Sequence, residues 1–196
     1  VLPEMLYERV AEVVERVDAQ GNVLTPLDAD DARAKMQEAY DDGIRAVAIV
    51  CMHGYKFSDH EAALADIARE IGFTQISTSY QTSPLMRLVG RGDTTVVDAY
   101  LSPILRRYVE QVADELGEVR LQFMQSNGGL TDAQLFQGKD AILSGPAGGI
   151  VGAVQTSDRA GFDKIITFDM GGTSTDVAHY DGEYERAFET QVAGVR

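Results

Sequence analysis

The residues Asp169-Met170-Gly171-Gly172-Thr173-Ser174-Thr175-Asp176 carry the sharpest chemical pattern in the chain. An apolar run, Ile165-Ile166-Thr167-Phe168, delivers Asp169 to a strand end. A carboxylate fixed there could hold a magnesium-bound water or orient an attacking one. Gly171 and Gly172 have no side chains, so main-chain N–H groups can come close to phosphate oxygens. Thr173, Ser174 and Thr175 add hydroxyl donors. Magnesium keeps several waters and takes few carboxylates, which suits a lone strand-end Asp. The competing reading is a tight hairpin in which Gly171-Gly172 supply positive φ and Asp169 caps the turn. A bare Asp-x-Gly-Gly leaves both open. The flanking strands, the Thr-Ser-Thr run and a preceding glycine-rich helix favour phosphate.

Other candidates are more dispersed. His53 follows an apolar run at its C-terminal end, a frequent ligand position in α/β folds, and is a candidate for the substrate cleft. Ser126-Asn127-Gly128-Gly129 also stands at a strand end; Asn127 and Gly128 could face a ligand, and an ordinary turn explains them nearly as well. Arg87 and Arg91 could grip a carboxylate through a bidentate contact, although arginines are more often surface residues. His53, His60 and His179 lack zinc-ligand spacing. Cys51, in the run Val47–Met52, reads as a small core residue, and a single cysteine builds no disulfide framework.

These residues need elements to position them. Glu15 to Leu24 has the pattern of a strand, a glycine turn and a second strand. Asp28 or Asp30 can cap a helix with Ala32, Met36, Ala39 and Tyr40 on one face, stopped by Gly43. Ile44 to Met52 reads as a strand buried on both faces. Ser58-Asp59-His60-Glu61 has capping-box spacing before a helix with Leu64, Ile67, Ala68 and Ile71 inward, ending at Gly72. Gln75 to Tyr80 is the next strand, so the alternation argues for a parallel α/β layer. Asp93 reads as the cap of a long helix with Val96, Val97, Tyr100, Leu101, Ile104, Leu105, Tyr108, Val109, Val112 and Leu116 at helical spacing. Pro103 lies inside it, so a kink or break is expected. Arg120 to Gln125 is a short strand. In Ser144–Val154, Pro146 suits a first helical turn. The glycines there each cost about 1 kcal/mol relative to Ala, so they imply close packing against neighbouring backbone.

The Asp169–Asp176 segment resembles the second phosphate loop of the actin, sugar-kinase and heat-shock chaperone ATPase superfamily. Ser144–Val154 is similar to the helix that links that superfamily's two lobes. Jointly, Met124–Gly129, Ser144–Gly149, Phe168–Asp176 and His53-Gly54-Tyr55 with His60-Glu61 resemble the hydantoinase A/5-oxoprolinase family. Arg91-Gly92-Asp93-Thr94, Asp98–Pro103 and Gly182–Glu185 tilt the likeness towards its 5-oxoprolinase branch.

The resemblance implies an α/β, ribonuclease-H-like (actin-like ATPase) fold in incomplete form: the later part of a first lobe, the linking helix, and the first hairpin of a second lobe. Residues 1–98 would end the family's N-terminal region, and 99–196 would begin its ATPase domain, with a lobe boundary near 144. It implies ATP-dependent opening of a cyclic amide, 5-oxoproline or a hydantoin, through phosphorylation of the ring carbonyl. Phosphoryl transfer is mainly positioning and charge neutralisation. Asp169 would be the catalytic residue and the magnesium ligand through water. Gly171, Gly172, Thr173 and Thr175 would cradle phosphate, joined by Gly145; His53, Asn127 and Gly128 would line the substrate side. An acetone-carboxylase-like subunit and a non-catalytic ATP-switched module are the alternatives. A purely structural domain would leave the Asp169-Gly171-Gly172 cluster unexplained.

The family's first phosphate loop, another Asp-x-Gly-Gly-Thr, is not in this sequence, nor is its glycine-rich adenosine segment. The start at Val1 and the stop in mid-pattern at Arg196 read as cuts from a longer polypeptide. The chain alone is therefore expected not to turn over ATP. It would need the remaining lobes or subunits of the parent, and its exposed strands could pair two copies into a homodimer. A net charge of −14 repels nucleic acid and anionic lipid, so neither is an expected partner. The sequence shows no signal peptide and no apolar run long enough to span a bilayer, and with the lone cysteine this fits a cytoplasmic protein.

Overall fold

The computed structural model describes residues 5–185 and 187. The described residues are mixed α/β and divide into two compact units, 5–107 and 108–185 with 187. Among the described residues no helix is long and apolar enough to cross a membrane.

The first unit opens with a hairpin, β1 (Arg16–Val17) and β2 (Val23–Thr25), paired antiparallel as its sequence pattern implies. Asp18 closes the turn by accepting from the amides of Gln20 and Asn22 and from Asn22 Nδ2. Helix α1 (Ala29–Asp41) starts at Asp28, whose carboxylate accepts from the Asp31 amide at 3.0 Å. Strand β3 (Ala46–Ile49) and β4 (Gln75–Thr78) form a parallel pair, with Ala46 opposite Gln75 and Ile49 opposite Thr78. Helix α2 (Asp59–Ile71) is the crossover between them and ends at Gly72, whose φ of 111° is left-handed. Ala32, Ile49, Cys51, Leu64, Ala65 and Ile67 form the core. Burying a side chain such as Leu64 contributes about 1.5–3 kcal/mol. The strand expected over Ile44–Met52 is shorter than its apolar run, because the chain turns at Cys51.

Three expectations here need correction. The capping box at Ser58 does not form: Ser58 has helical backbone angles and makes no side-chain cap bond. Its partner Glu61 is wholly buried and bonded elsewhere. After the single turn α3 (Ser79–Thr82), helix α4 (Leu88–Leu116) begins upstream of Asp93, so Asp93 is no cap, and it continues through Pro103 without a break in assignment. Its buried stripe is also only partly the apolar one: Val97, Ala99 and Val109 are buried. Tyr100, Ile104 and Tyr108 are 49%, 53% and 57% exposed, whereas Arg91, Thr95, Asp98 and Ser102 are buried at helical spacing. Polar partners make that possible: Thr95 Oγ1 donates to Arg91 O, and Asp98 accepts from Ser77 and Ser102.

The second unit contains the hairpin β5 (Gln122–Met124) and β6 (Leu130–Asp132), a 3₁₀ turn at Ala133–Leu135, and the short α5 (Gly138–Ala141). Helix α6 (Ser144–Arg159) follows, then the antiparallel pair β7 (Lys164–Met170) and β8 (Thr175–Asp181). Phe123 stacks on Phe136 and meets Tyr108 edge-on. Among the described residues the parallel layer is thus one pair of strands, and there are three antiparallel hairpins.

Candidate functional site: the Asp169–Thr175 loop

Strands β7 and β8 bring Asp169 directly opposite Asp176, and Met170 opposite Thr175, so that Gly171 to Ser174 form the connecting loop. The loop is solvent-exposed throughout, and so is Asp169. One internal bond closes it, from the Gly171 amide to Ser174 O at 2.9 Å. The Gly171 amide is therefore occupied by the turn itself. Among the described residues the amides of Gly172, Thr173 and Ser174 have no partner.

The glycines bear on the tight-turn reading. Neither Gly171 nor Gly172 has positive φ. A Cβ on Gly172 would meet no atom within 4 Å, and one on Gly171 would meet only Ser174 O at 3.6 Å, an ordinary contact. The hairpin geometry does not require glycine at either place. Asp169 does not cap the loop either, since its carboxylate makes no hydrogen bond or ion pair among the described residues. Like charges facing each other across strands destabilise a pair, and Asp169 with Asp176 is such a pair.

Helix α6 ties the loop to the rest of the unit. A Cβ on Gly149 would lie 4.0 Å from Asp169 Oδ2, and one on Gly148 would be 3.3 Å from Met124 Cγ. The glycines at Gly145 and Gly152 face nothing within 4 Å. The close approach expected for this helix thus occurs at Gly148, and against a side chain, not backbone; Gly149 is at ordinary contact distance. Gly128, with φ of +81°, would meet Val151 Cγ2 at 3.2 Å. The turn it belongs to is held by Asn127 Oδ1 accepting from the Gly129 amide at 2.7 Å. Ser126 adds bonds to Asp140 O and Ile142 O. Asn127 and Gly128 therefore both have roles within the turn, while α6 brings that turn and Asp169 to one helix. Leu143, which precedes α6, takes a left-handed φ of 58° and leaves the first-turn amides near Gly145 without a side-chain cap.

Comparison with known proteins fits this arrangement. The family described as "Hydantoinase/oxoprolinase" matches residues 91–196, and "Hydantoinase/oxoprolinase N-terminal region" matches residues 1–72. The chain belongs to the hydantoinase/oxoprolinase family. It is 42% identical to 5-oxoprolinase 1 of Arabidopsis thaliana over 216 aligned positions, covering 98% of this chain and 17% of that protein. Among solved structures it resembles nucleotide-free acetone carboxylase with a TM-score of 0.82 at 26% identity, covering 93% of this chain and 27% of that one. It also resembles the ATP-dependent caprolactamase of Pseudomonas jessenii, with a TM-score of 0.75 at 30% identity over 85% of this chain and 25% of that one.

In this family member, the first unit holds the remaining sequence candidates. Arg91 is not available to a ligand carboxylate. It is wholly buried, and its five N–H groups are taken by Ser79 Oγ, Leu85 O, Met86 O, Cys51 O and Met52 O. Burial pulls its guanidinium below the ordinary arginine value, and Glu61 opposes this. Arg87 also has an interaction partner. His60 Nδ1 is 2.7 Å from Glu15 Oε2 in a mostly buried pair, so its role is to tie the N-terminal strap to α2. Burial, with Glu15 and Glu61 nearby, pushes the Cys51 thiol up to about 12, which suits a core residue. His53 is half-buried in the turn after β3, where its carbonyl accepts from the Lys56 and Phe57 amides and its ring meets Tyr55 edge-on.

Sequence reasoning missed Glu61 as the hub of the first unit. The clue was present in Gly54, a glycine that needs no positive φ and lies against that carboxylate.

Proposed function

We propose that this chain is part of an ATP-dependent enzyme that opens a cyclic amide, 5-oxoproline or a hydantoin, by activating its ring carbonyl. In this reading Asp169–Thr175 is the second of two phosphate-binding loops. The observation that carries it is the open loop: unpartnered amides at Gly172, Thr173 and Ser174 beside an exposed, unbonded Asp169. The glycines are explained by the close approach of an anion, since the turn does not need them.

The site's chemistry fits ATP with magnesium. Asp169 would hold the cation through water and Asp176 faces it across the strands, so a bound cation would relieve their mutual repulsion. Gly171 would shape the loop through its bond to Ser174 O, while Gly172, Thr173 and Thr175 would face phosphate and Gly145 would join them from α6. When bound, ATP supplies the phosphoryl group that turns an inert amide oxygen into a leaving group. The chain's own contribution is to hold charge and geometry ready for that transfer. Asn127 and Gly128, in the same unit as the loop, are the candidates for substrate contact there, and His53 is the candidate in the first unit.

The fold reading completes this: an actin-like ATPase with the lobe boundary near 144, residues 1–98 ending the N-terminal region and 99–196 opening the ATPase domain. The remaining lobes or subunits supply the first phosphate loop, and the chain alone does not turn over ATP. We place the enzyme in the cytoplasm, with two copies able to pair through strand edges. An acetone-carboxylase-like role is the second reading, favoured by the TM-score of 0.82 to that enzyme.

The test is ATP hydrolysis by the full-length enzyme with and without 5-oxoproline, hydantoin or acetone. Asp169→Asn should lower amide-dependent hydrolysis by about 10²–10³-fold, the range for removing one preorganised charge-stabilising group. Retention of activity within threefold would overturn the assignment, and stimulation by acetone alone would select the second reading.

A further inference from the structure

Two asparagines stand in the sequence, Asn22 and Asn127, and the fold treats them differently. Asn22 precedes Val23, whose β-branched side chain crowds the amide between them. Its Nδ2 donates to Asp18 Oδ2 at 2.9 Å and its own main-chain amide to Asp18 Oδ1 at 2.8 Å, so the residue is pinned. Asn127 instead precedes Gly128 and is exposed in the turn of the β5–β6 hairpin.

Glycine is required at 128, since φ is +81° and a Cβ there would meet Val151 Cγ2 at 3.2 Å. The missing side chain also leaves the Gly128 nitrogen unshielded beside the Asn127 carboxamide. Attack of that nitrogen on Asn127 Cγ would close a five-membered ring and put negative charge on Oδ1. The Gly129 amide already donates to Oδ1 at 2.7 Å, so it stands where that charge develops. The leaving Nδ2 is held only by a long contact to Gln125 Oε1, at 3.5 Å. One restraint opposes the reaction. The Gly128 amide donates to Gln125 O at 2.9 Å and must let go before it can attack. Ser126 backs that restraint: its amide donates to Asp140 O at 2.8 Å, and its hydroxyl to Asp140 O at 2.8 Å and to Ile142 O. An exposed turn closed by a few bonds opens locally without unfolding the domain.

We propose that Asn127 is a spontaneous modification site, losing its side-chain amide through a cyclic imide with Gly128 at a rate set by opening of the Gln125–Gly129 turn. The Gly128 nitrogen gives its proton to solvent as the N–Cγ bond forms. The Cγ–Nδ2 bond then breaks, and Nδ2 takes up a proton and leaves as ammonia. Water opens the imide in one of two ways. Addition at Cγ yields aspartate with the main chain restored. Addition at the Asn127 main-chain carbonyl carbon yields isoaspartate, with an extra methylene in the main chain. Both products carry a new carboxylate, and isoaspartate also disrupts the bond from Gln125 N to Gly129 O that closes the turn. The reaction needs neither nucleotide nor amide substrate, so it stands whether or not the enzyme opens a cyclic amide.

The experiment ages the full-length enzyme in mildly alkaline buffer at body temperature and follows it by trypsin digestion and mass spectrometry. Cleavage after Arg16, Arg33, Arg120 and Lys139 puts Asn22 and Asn127 in separate peptides, 17–33 and 121–139. Asn127 should convert to the acid forms at least tenfold faster than Asn22, with isoaspartate in peptide 121–139 detected by an isoaspartate-specific methyltransferase. Ser126→Ala should speed conversion of Asn127 at least twofold and leave Asn22, in the other unit, unchanged; Ser126→Thr, which keeps the hydroxyl, should restore the slower rate. A variant that merely unfolds would speed Asn22 as well, so the ratio of the two rates is the readout. Conversion of Asn127 no faster than that of Asn22 would overturn the site. A ratio unmoved by Ser126→Ala would overturn the control by the turn.

Discussion

Gly54→Ala is the sharpest test of the first unit. The glycine is buried and its φ is not left-handed, so alanine would meet no backbone penalty. The cost is steric: the new Cβ would lie 2.0 Å from Glu61 Oε1 and 2.6 Å from its Cδ. Those distances are far inside van der Waals contact, and the obstructing carboxylate is not a free-swinging end, since it accepts four hydrogen bonds. The bonds at Oε1, to Cys51 N and Ser79 Oγ, break first. Hydrogen bonds to charged groups contribute about 1.5–3 kcal/mol each, and breaking one side of a buried charged network costs about 3–5 kcal/mol. We expect a loss of about 3–5 kcal/mol, a large share of the about 5–15 kcal/mol typical of a domain. Urea denaturation followed by circular dichroism measures it. Gly43→Ala is the control, because φ there is +97° but nothing lies within 4 Å, leaving only a backbone penalty of about 1–2 kcal/mol. A Glu61→Ala background should remove most of the Gly54→Ala cost, since the obstruction is gone. A loss below about 1 kcal/mol, or full additivity with Glu61→Ala, would refute the steric reasoning.

Gly172→Ala should change stability by less than about 0.5 kcal/mol, as for an unconstrained surface site, yet weaken ATP binding to the full-length enzyme at least tenfold by calorimetry. A destabilised variant with intact nucleotide affinity would restore the tight-turn reading. The native Cys51 thiol should resist iodoacetamide at pH 8 and react once the chain is unfolded. Its folded pKa is raised, to about 12, so its contribution is intact below the unfolded value and is lost as pH rises towards about 12. Stability should therefore fall above about pH 8.5, by up to about 1.4 kcal/mol per pH unit. Cys51→Ala should lack that slope in alkaline denaturation curves.

Elements announced by local chemistry were legible in the sequence: the Asp28 cap, the Gly43 and Gly72 stops, the Gly128 turn and the β7–β8 hairpin. Each depends on neighbours a few residues away. The misread features are those whose partners lie far off in sequence. Ser58 and Glu61 have capping-box spacing, but Glu61 finds donors at Cys51, Ser79 and Tyr80, and a fully satisfied buried carboxylate outcompetes a cap at the surface. On α4, helical spacing favoured Tyr100, Ile104 and Tyr108 as the inner face. The helix buries Val97, Ala99 and Val109, but with them Arg91, Thr95, Asp98 and Ser102, because partners such as Ser77, Ser79 and Cys51 await them. Hydrophobic periodicity reads burial from the helix alone, and a buried polar stripe is visible only with its partners in place. At the candidate site the sequence pointed to Asp169, Gly171 and Gly172, but not to the internal bond that occupies Gly171.

The second unit also explains why its chemistry is tied to small residues on α6. Alternation along β7 and β8 puts Ile165, Thr167, Ala178 and Tyr180 on one half-buried face, in register as cross-strand pairs. Asp169 continues that face, and a Cβ on Gly149 of α6 would lie 4.0 Å from its Oδ2, an ordinary contact. Two residues further along, Val151 lies against Gly128, and one residue before Gly149, Gly148 lies against Met124. Asp169 and the Asn127-Gly128 turn thus both neighbour the same short stretch of one helix. A Cβ at Gly148 would press on Met124 of β5, whereas one at Gly149 would make only an ordinary contact with Asp169. A helix otherwise weakened by glycine, at about 1 kcal/mol apiece, gains at Gly148 the close approach of the β5 side chain Met124, which a Cβ there would meet at 3.3 Å.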